Sequence, residues 1–396
     1  MEQRNFDLVI AGAGPAGSLA AYTAAREGLA VLLLERESFP RPKACGGLMS
    51  GKTMAALPWP LPEEVLECPI RGVSLANTRG EALLYRQEEA FAVTVRREHL
   101  DQFLLEKARG AGAAFLANTP LTDLVQNGDG LTVATPRGDF RARIVIGADG
   151  YQSRTARAAG LRRRWPPWAR GTALVIRPSL PREEVDRLTR GGDVACFFTL
   201  PLPASFGWLF PLDSGINLGL GAPSLVEKGL WPVFQDFLAF LNRLYGTCIP
   251  CRKPRIWYLP AGGFSHPLAR DNVLLVGDAA GFVDPFSGEG LYWAAKSGAT
   301  AAKLAAAQLA GTLPDPLARA YNRECRQRWQ QEFRLSLLLA LLAGKKELFF
   351  RLLKHNPGAM ALFPTIMQEP GCYRKLFLTA LPRLPLLLAR ALLGKR

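Results

Sequence analysis

Residues 7–11 form a mainly apolar, β-prone run, residues 15–27 are rich in alanine, and residues 30–34 are apolar throughout. That order predicts strand, turn, helix and strand, one βαβ unit of a parallel sheet. Short extended segments follow over 70–95, then a helix over about 98–110, paired strands near 113–135 and a buried strand over 141–147. From about 166 to 268 the rhythm changes to short apolar stretches broken by proline and glycine, with a helix near 227–243. This is the pattern of an antiparallel sheet that carries a helix. Residues 272–276 return to buried-strand composition, and the alanine-rich segment 288–309 predicts a long helix. Beyond Pro314, Leu and Phe alternate with Arg and Lys, and prolines at 357, 364, 370, 382 and 385 divide the segment into short helices.

Between the first strand and the first helix lies Gly12-Ala13-Gly14-Pro15-Ala16-Gly17, and Glu35 ends the next strand 18 positions after Gly17. Gly12 permits a tight turn, Gly14 lets backbone approach a pyrophosphate, Pro15 and Ala16 open the helix whose positive end faces it, and Gly17 lets that helix pack close to the sheet. Glu35, with Arg36 beside it, is placed to accept hydrogen bonds from ribose hydroxyls. A glycine fingerprint alone is weak, and an ordinary strand-to-helix turn is its alternative. Strand, helix, second strand and acid in order point to a dinucleotide.

Two later strands end in related turns, Gly147-Ala148-Asp149-Gly150 and Gly277-Asp278-Ala279-Ala280. Both resemble motifs of FAD-dependent hydroxylases and their relatives. The resemblance implies FAD, with Asp278 on the ribityl hydroxyls and Asp149 and Gly150 near the pyrophosphate. A carboxylate after a buried strand suits a polyol chain, because it accepts hydrogen bonds.

Three further stretches look like signatures of the geranylgeranyl reductase family: Lys43-Ala44-Cys45-Gly46-Gly47, Phe206-Gly207-Trp208-Leu209-Phe210-Pro211, and the run from Gly277 to Leu291 that contains Pro285, Gly288 and Gly290. Arg97-Glu98-His99-Leu100-Asp101 matches an Arg-x-x-Leu/Phe-Asp element, which makes Arg97 a flavin contact by that resemblance. The resemblance covers roughly residues 5–310. It implies an α/β fold, a Rossmann-like FAD-binding domain with an inserted antiparallel-sheet (α+β) substrate domain and a helical C-terminal region. Residues 1–70, 95–165 and 269–312 would form a discontinuous FAD-binding domain, residues 71–94 and 166–268 the substrate domain, and residues 313–396 the helical region.

The implied activity is saturation of carbon–carbon double bonds in an isoprenoid chain, by hydride from reduced flavin and an accompanying proton. Ala44 and Cys45 would contact the cofactor, and Cys45, Gly46 and Gly47 would form the catalytic segment, Cys45 donating or relaying the proton. A thiol is a weak acid, suited to that task. Amides at Gly288, Gly290 and Leu291 would meet the pyrimidine edge of the ring, where reduction places negative charge. Pro285 and Phe286 would wall one side of it. Trp208, Phe210 and Pro211 would line the isoprenoid cavity, joined by Tyr292 and Trp293, since large apolar faces suit a substrate with almost nothing to hydrogen-bond. Core packing is the plain alternative for each of these, and for Cys45.

Composition narrows the setting. At 396 residues the chain exceeds the roughly 250–300 at which single cores stop growing. Its 48% hydrophobic and 21% charged residues exclude a disordered chain. The net charge of +15 points to an acidic partner, and its sign does not choose among anionic headgroups, nucleic acid and acidic proteins. In the last 23 residues Arg374, Lys375, Arg383, Arg390, Lys395 and Arg396 face no acidic residue. Interleaved with Leu and Phe, they suit an amphipathic element on an anionic membrane surface, or packing on the protein's own core. With a lipid substrate implied, membrane contact is expected and nucleic acid is not.

Seven cysteines without repeating spacing make no disulfide framework and fit a reducing cytoplasm, on whose face of the membrane the protein is expected. Cys248-x-x-Cys251 has no second pair or histidine cluster beside it, so no metal site is expected. No signal pattern opens the chain, and no run reaches the roughly 18 apolar residues of a spanning helix. The electron donor stays open between NAD(P)H and a redox protein such as ferredoxin, because no second glycine fingerprint occurs. An FAD monooxygenase or halogenase shares the nucleotide motifs and is the rival enzyme, although Phe210 stands where the halogenase-type Trp-x-Trp has its second Trp. A non-catalytic flavin-binding protein of the membrane surface is the rival of another class.

Overall fold

A computed structural model describes residues 4–128, 130–261, 266–356 and 358–393. The chain forms two compact units, Met1–Lys43 with Glu98–Ala169 and Leu259–Gln331, and Ala44–Arg97 with Arg170–Tyr258 and Glu332–Arg396.

The first unit is the predicted Rossmann-like α/β body. Its sheet runs in the order Ala269–Arg270, Val273–Leu275, Phe140–Gly147, Asn5–Ala11, Val31–Leu34 and Ala114–Leu116, with the hairpin strands Asp123–Asn127 and Gly130–Ala134 joined through Phe140–Gly147. The pairs from Val273–Leu275 to Ala114–Leu116 are parallel. Leu8, Val9, Ile10, Leu33, Val145, Ile146 and Leu274 are fully buried, as strands covered on both faces require. The covering helices Pro15–Arg26 and Leu291–Leu309 touch backbone to backbone. A Cβ on Gly298 would stand 2.2 Å from the Ala16 carbonyl oxygen, and one on Gly17 would stand 1.8 Å from that of Gly12. Only hydrogen fits at either crossing. Beyond them the helix Leu317–Arg328 is fixed by Tyr321, whose buried hydroxyl donates to the Leu275 carbonyl at 2.8 Å.

The second unit carries a sheet in the order Arg255–Pro260, Arg170–Ile176, Gly215–Pro223, Phe206–Leu212, Val194–Thr199, Gly72–Ala76 and Ala82–Arg86, antiparallel through its centre. The helix Leu230–Tyr245 lays Leu230, Phe234, Phe237, Leu238 and Leu241 on one face, the three-and-four spacing of a buried stripe. They pack with Leu209, Leu218 and Leu220 of the sheet, and burial of each such side chain contributes about 1.5–3 kcal/mol. Gly246, at φ 58°, ends the helix in the left-handed conformation. A small sheet centred on Ala92–Val95, between Leu48–Ser50 and Leu66–Ile70, completes the body.

The C-terminal segment is helical as expected, in pieces Gln330–Ala343, Lys346–His355, Leu362–Gln368, Cys372–Ala380 and Leu384–Leu393. Pro364 and Pro385 fall within first turns, where a missing N–H costs nothing. Among the described residues no helix is long and apolar enough to cross a membrane.

Candidate active site

The 12–17 turn of the first unit is shaped for an anion. Gly12 has φ +99°, and a Cβ there would meet the Ala148 carbonyl oxygen at 2.4 Å. Gly14 is the N-cap of Pro15–Arg26, whose first turn has neither a side-chain cap nor an acidic residue. Its leading amides therefore face outward at the positive end of the helix. Arg41 adds a full charge, its Nη2 lying 3.6 Å from where a Gly14 Cβ would be. Its guanidinium is held between Glu35 at 3.6 Å and the buried Asp101 at 3.5 Å, over the Phe39 ring.

Glu35 is buried at the strand end and accepts from the amides of Ala13 and Arg36, both at 2.9 Å, and of Glu37 at 3.2 Å. The carboxylate is thereby held in place with lone-pair capacity left for a ribose. Arg36 contributes through its amide; its exposed side chain pairs with Glu37. Asp149 is occupied within the fold: it accepts from Ser153 Oγ at 2.5 Å and from the Thr155 amide and hydroxyl at 2.9 and 3.0 Å, at the start of the helix Arg154–Ala158. What this turn offers a diphosphate is the backbone of Gly150, at φ +75° with nothing within 4 Å of a Cβ position. Asp149 thus holds the start of this helix, beside the Gly150 backbone.

Asp278 stands at the end of the first unit's second Gly-Asp strand. Lys43 Nζ lies 3.3 Å from its Oδ2, and its Oδ1 would be 3.4 Å from a Cβ on Gly290. Gly290 is the N-cap of Leu291–Leu309, again without a side-chain cap. The loop before it is wound around the buried Asp284, which accepts from the amides of Phe286 at 3.0 Å and Ser287 at 2.8 Å, while the Gly288 amide donates to its carbonyl at 2.9 Å. Pro285 lies in that loop, and Gly277 is tied to the long helix through Ser297 Oγ at 2.9 Å. Below the 277–281 turn, Arg162 stacks 3.4 Å from the Trp165 centroid and donates to the Ala279 carbonyl at 2.8 Å. Burial lowers this guanidinium to about 10, opposed by the charge of Asp149. His266, edge-on to Trp165, is lowered by burial and by Arg162.

Tyr292 and Trp293 are buried in an aromatic cluster with Trp329 and Phe282. The Trp293 ring centroid is 6.2 Å from that of Trp329.

The second unit assembles the other candidates. Phe206, Trp208 and Phe210 share one face of their strand, with Trp208 and Phe210 stacked at 6.3 Å and Phe197 edge-on to Phe210 at 5.3 Å. The Cys45-Gly46-Gly47 turn lies against them: a Cβ on Gly46 would be 3.1 Å from Phe210 Cε2 and 3.4 Å from Trp208 Nε1. Gly47 donates its amide to Cys45 Sγ at 3.4 Å. Ala44 is buried beside Cys45, and Arg97, 3% exposed, opens the helix Arg97–Gly110. Pro211 departs from expectation, because the pleat turns it to the opposite face with Gly207 and Leu209, toward Phe237 and the helix core. Ahead of the aromatic strand, Lys346 donates to the carbonyls of Leu200 and Leu202 and to Ser205 Oγ at 3.4 Å, and burial lowers it to about 8.

Two residues and one pairing escaped the sequence reading: Arg41, the pairing of Lys43 with Asp278, and Asn217, which bridges Trp208 and Cys45. The first two carried a signal, as cations between the acid Glu35 and the cysteine–glycine segment.

Within the first unit, Glu35 suits a ribose, the Gly14 and Gly150 backbone with Arg41 a diphosphate, Asp278 a polyol, and the uncapped helix start at Gly290 a ring that gains negative charge on reduction. FAD is the dinucleotide with a polyol between diphosphate and redox ring, so the donor set fits it, and the class defined is an FAD-dependent oxidoreductase. The family model described as FAD dependent oxidoreductase matches residues 7–176, and that described as FAD binding domain matches residues 262–336.

Among curated proteins, digeranylgeranylglycerophospholipid reductase 2 of Methanosphaera stadtmanae is 30% identical over 318 residues, 76% of this chain and 77% of that one. Menaquinone reductase of Mycolicibacterium smegmatis is 30% identical over 316 residues, 75% of this chain and 76% of that one. The chain belongs to the geranylgeranyl reductase family of FAD-dependent oxidoreductases. A geranylgeranyl bacteriochlorophyll reductase-like protein from Thermoplasma acidophilum shares the fold, with a TM-score of 0.78 at 20% identity over 94% of this chain and 99% of that one. A flavin-dependent brominase aligns less well, with a TM-score of 0.69 at 19% identity over 94% of this chain and 98% of that one.

Proposed function

We propose that the protein saturates carbon–carbon double bonds in the isoprenoid chain of a lipid or quinone. The observation that carries this reading is the apolar face of Trp208 and Phe210 with a thiol-bearing glycine turn laid against it. FAD, once reduced by an external donor, supplies the hydride; NAD(P)H and a ferredoxin-like protein both fit that donor's role. Glu35, Gly12, Gly14, Pro15, Ala16, Gly17, Arg36, Arg41, Gly150, Gly277 and Asp278 bind the dinucleotide, and the amides from Gly288 to Leu291 hold its ring end.

An isolated alkene accepts hydride poorly, so a proton must arrive with it, and positive charge builds on the branched carbon. Trp208 and Phe210 keep water away and present π faces to that charge. The Cys45 thiol gives up the proton, and the Gly47 amide, already aimed at the sulfur, stabilises the negative charge left there.

The test is anaerobic. Reduced holoprotein mixed with a geranylgeranyl lipid is expected to lose its electrons to the lipid, whose mass rises by two hydrogens per double bond reduced. Substrate-dependent oxygen consumption with a hydroxylated or halogenated product supports the rival enzyme instead, and a flavin that no prenyl lipid reoxidises supports the non-catalytic one.

The substrate would be reached from a membrane surface. Leu378, Leu381, Leu384 and Leu386 are exposed, among exposed Arg374, Lys375, Arg383 and Arg390. Apolar side chains rimmed by cations, of which Lys375 is paired with Glu369 at 3.0 Å, suit an anionic leaflet. Because Cys372 and Tyr373 are buried, substitution tests this better than truncation. Arg374, Arg383 and Arg390 changed together to Gln are expected to weaken the affinity for anionic vesicles in sedimentation at low salt by roughly 100-fold, about 1 kcal/mol per charge being at stake. Equal sedimentation discards the membrane role.

A further inference from the structure

Asn217 is fully buried, in the strand beside Phe206–Leu212, and both ends of its amide are engaged. Oδ1 accepts from Trp208 Nε1 at 3.0 Å, and Nδ2 donates to the Cys45 carbonyl at 2.8 Å. An indole N–H can only donate and a peptide carbonyl can only accept, so a single orientation of the amide satisfies both. The sheet register prepares this. Asn217 lies opposite Phe210, and Gly219 lies opposite Trp208. A Cβ on Gly219 would be 2.3 Å from the indole Cζ2, so only glycine there lets the ring lie across the neighbouring strand and bring Nε1 to Asn217.

The cysteine turn is secured at its other end as well, where the Val95 amide donates to the Gly47 carbonyl at 2.8 Å. A planar peptide held at its carbonyl is held as a plane, so the bond from Asn217 fixes the backbone from which the thiol projects. Truncating Asn217 would leave a buried indole N–H and a carbonyl without this partner.

We infer that Asn217 is a positioning residue for the proton transfer assigned to Cys45, tying the thiol-bearing turn and the Trp208 indole into one frame. The inference rests on the reading of Cys45 as proton donor. Asn217→Asp keeps the shape and the acceptor for Trp208; as a carboxylate it faces the Cys45 carbonyl without a hydrogen, and once protonated it donates again. FAD-loaded N217D is expected to retain its flavin, to reduce a geranylgeranyl lipid at least about tenfold more slowly than the parent at alkaline pH, and to recover as the pH falls. Asn217→Leu is expected to stay slow at every pH. The parent protein over the same range reads any titration of Cys45 itself.

Alkylation of Cys45 by iodoacetamide in the FAD-loaded protein, followed by peptide mass, reads the same geometry without turnover. Its rate is expected to change in N217D with the same pH dependence. Should that variant fail to fold, Trp208→Phe removes the N–H that orients the amide, keeps a ring, and is expected to shift the alkylation rate likewise. Parental alkylation and turnover in the variants at every pH overturn the inference. Alkylation that follows Asn217 in a protein inert toward prenyl lipids upholds the clamp and overturns the function.

Discussion

Asp278→Ala is expected to leave most of the purified protein colourless. The carboxylate lies between Lys43 Nζ, 3.3 Å from Oδ2, and the uncapped helix start at Gly290, where a Cβ would be 3.4 Å from Oδ1. In that place it would accept from ribityl hydroxyls while balancing Lys43, so its loss would remove a charge-assisted acceptor and a counter-ion together. Hydrogen bonds to charged groups contribute about 1.5–3 kcal/mol, which corresponds to roughly 10–100-fold in FAD affinity. Asp278→Asn, which keeps one acceptor oxygen and drops the charge, should fall between the two. Flavin per polypeptide after desalting, and the dissociation constant from titration of the stripped protein with FAD, are the measurements. Full occupancy in the alanine variant would refute the assignment of this acid to the cofactor.

That acid was legible because its context is local. A strand buried on both faces writes itself as an unbroken apolar run, and Leu274, Leu275 and Val276 lead straight into Gly277 and Asp278. The same holds for the turn at Gly12 and for the long helix, predicted from residue 288 and beginning at Leu291, because the loop around Asp284 occupies the intervening residues. The helix Arg182–Leu188 was absorbed into a stretch judged by its prolines and glycines, although Pro181 with Glu183 and Glu184 is an ordinary helix opening.

What escaped depends on neighbours outside the motifs. Asn217 reads as one polar residue in an apolar strand, and its use emerges only when register sets it opposite Phe210 and a turn some 170 residues earlier presents the Cys45 carbonyl. Pro211 was grouped with Trp208 and Phe210 by the family resemblance, whereas a pleat of period two sends it to the other face. Asp149 entered through the likeness of Gly147-Ala148-Asp149-Gly150 to hydroxylase motifs, while Ser153 and Thr155, which hold its carboxylate at a helix start, lie just beyond the motif.

Cys45→Ala is expected to keep its FAD and its rate of reduction by the external donor while slowing alkene saturation by about 10²–10⁴-fold, the range for loss of a positioned acid. The two half-reactions divide the roles. Accepting electrons asks nothing of a proton donor to the alkene, whereas the second half-reaction requires a proton at one alkene carbon while its branched neighbour, where positive charge builds, takes the hydride. Substitution there leaves the frame standing, because Asn217 holds the Cys45 carbonyl at 2.8 Å and Val95 the Gly47 carbonyl at 2.8 Å, and both contacts are to backbone. Cys45→Ser separates shape from acidity, since an alcohol fills nearly the same space and is the poorer acid, so it should resemble the alanine variant in rate. Stopped-flow bleaching of the flavin by donor, then its anaerobic recovery on mixing with a geranylgeranyl lipid, resolves the two steps. Recovery at the parental rate in both variants would return Cys45 to a packing role, and the proton would have to come from solvent.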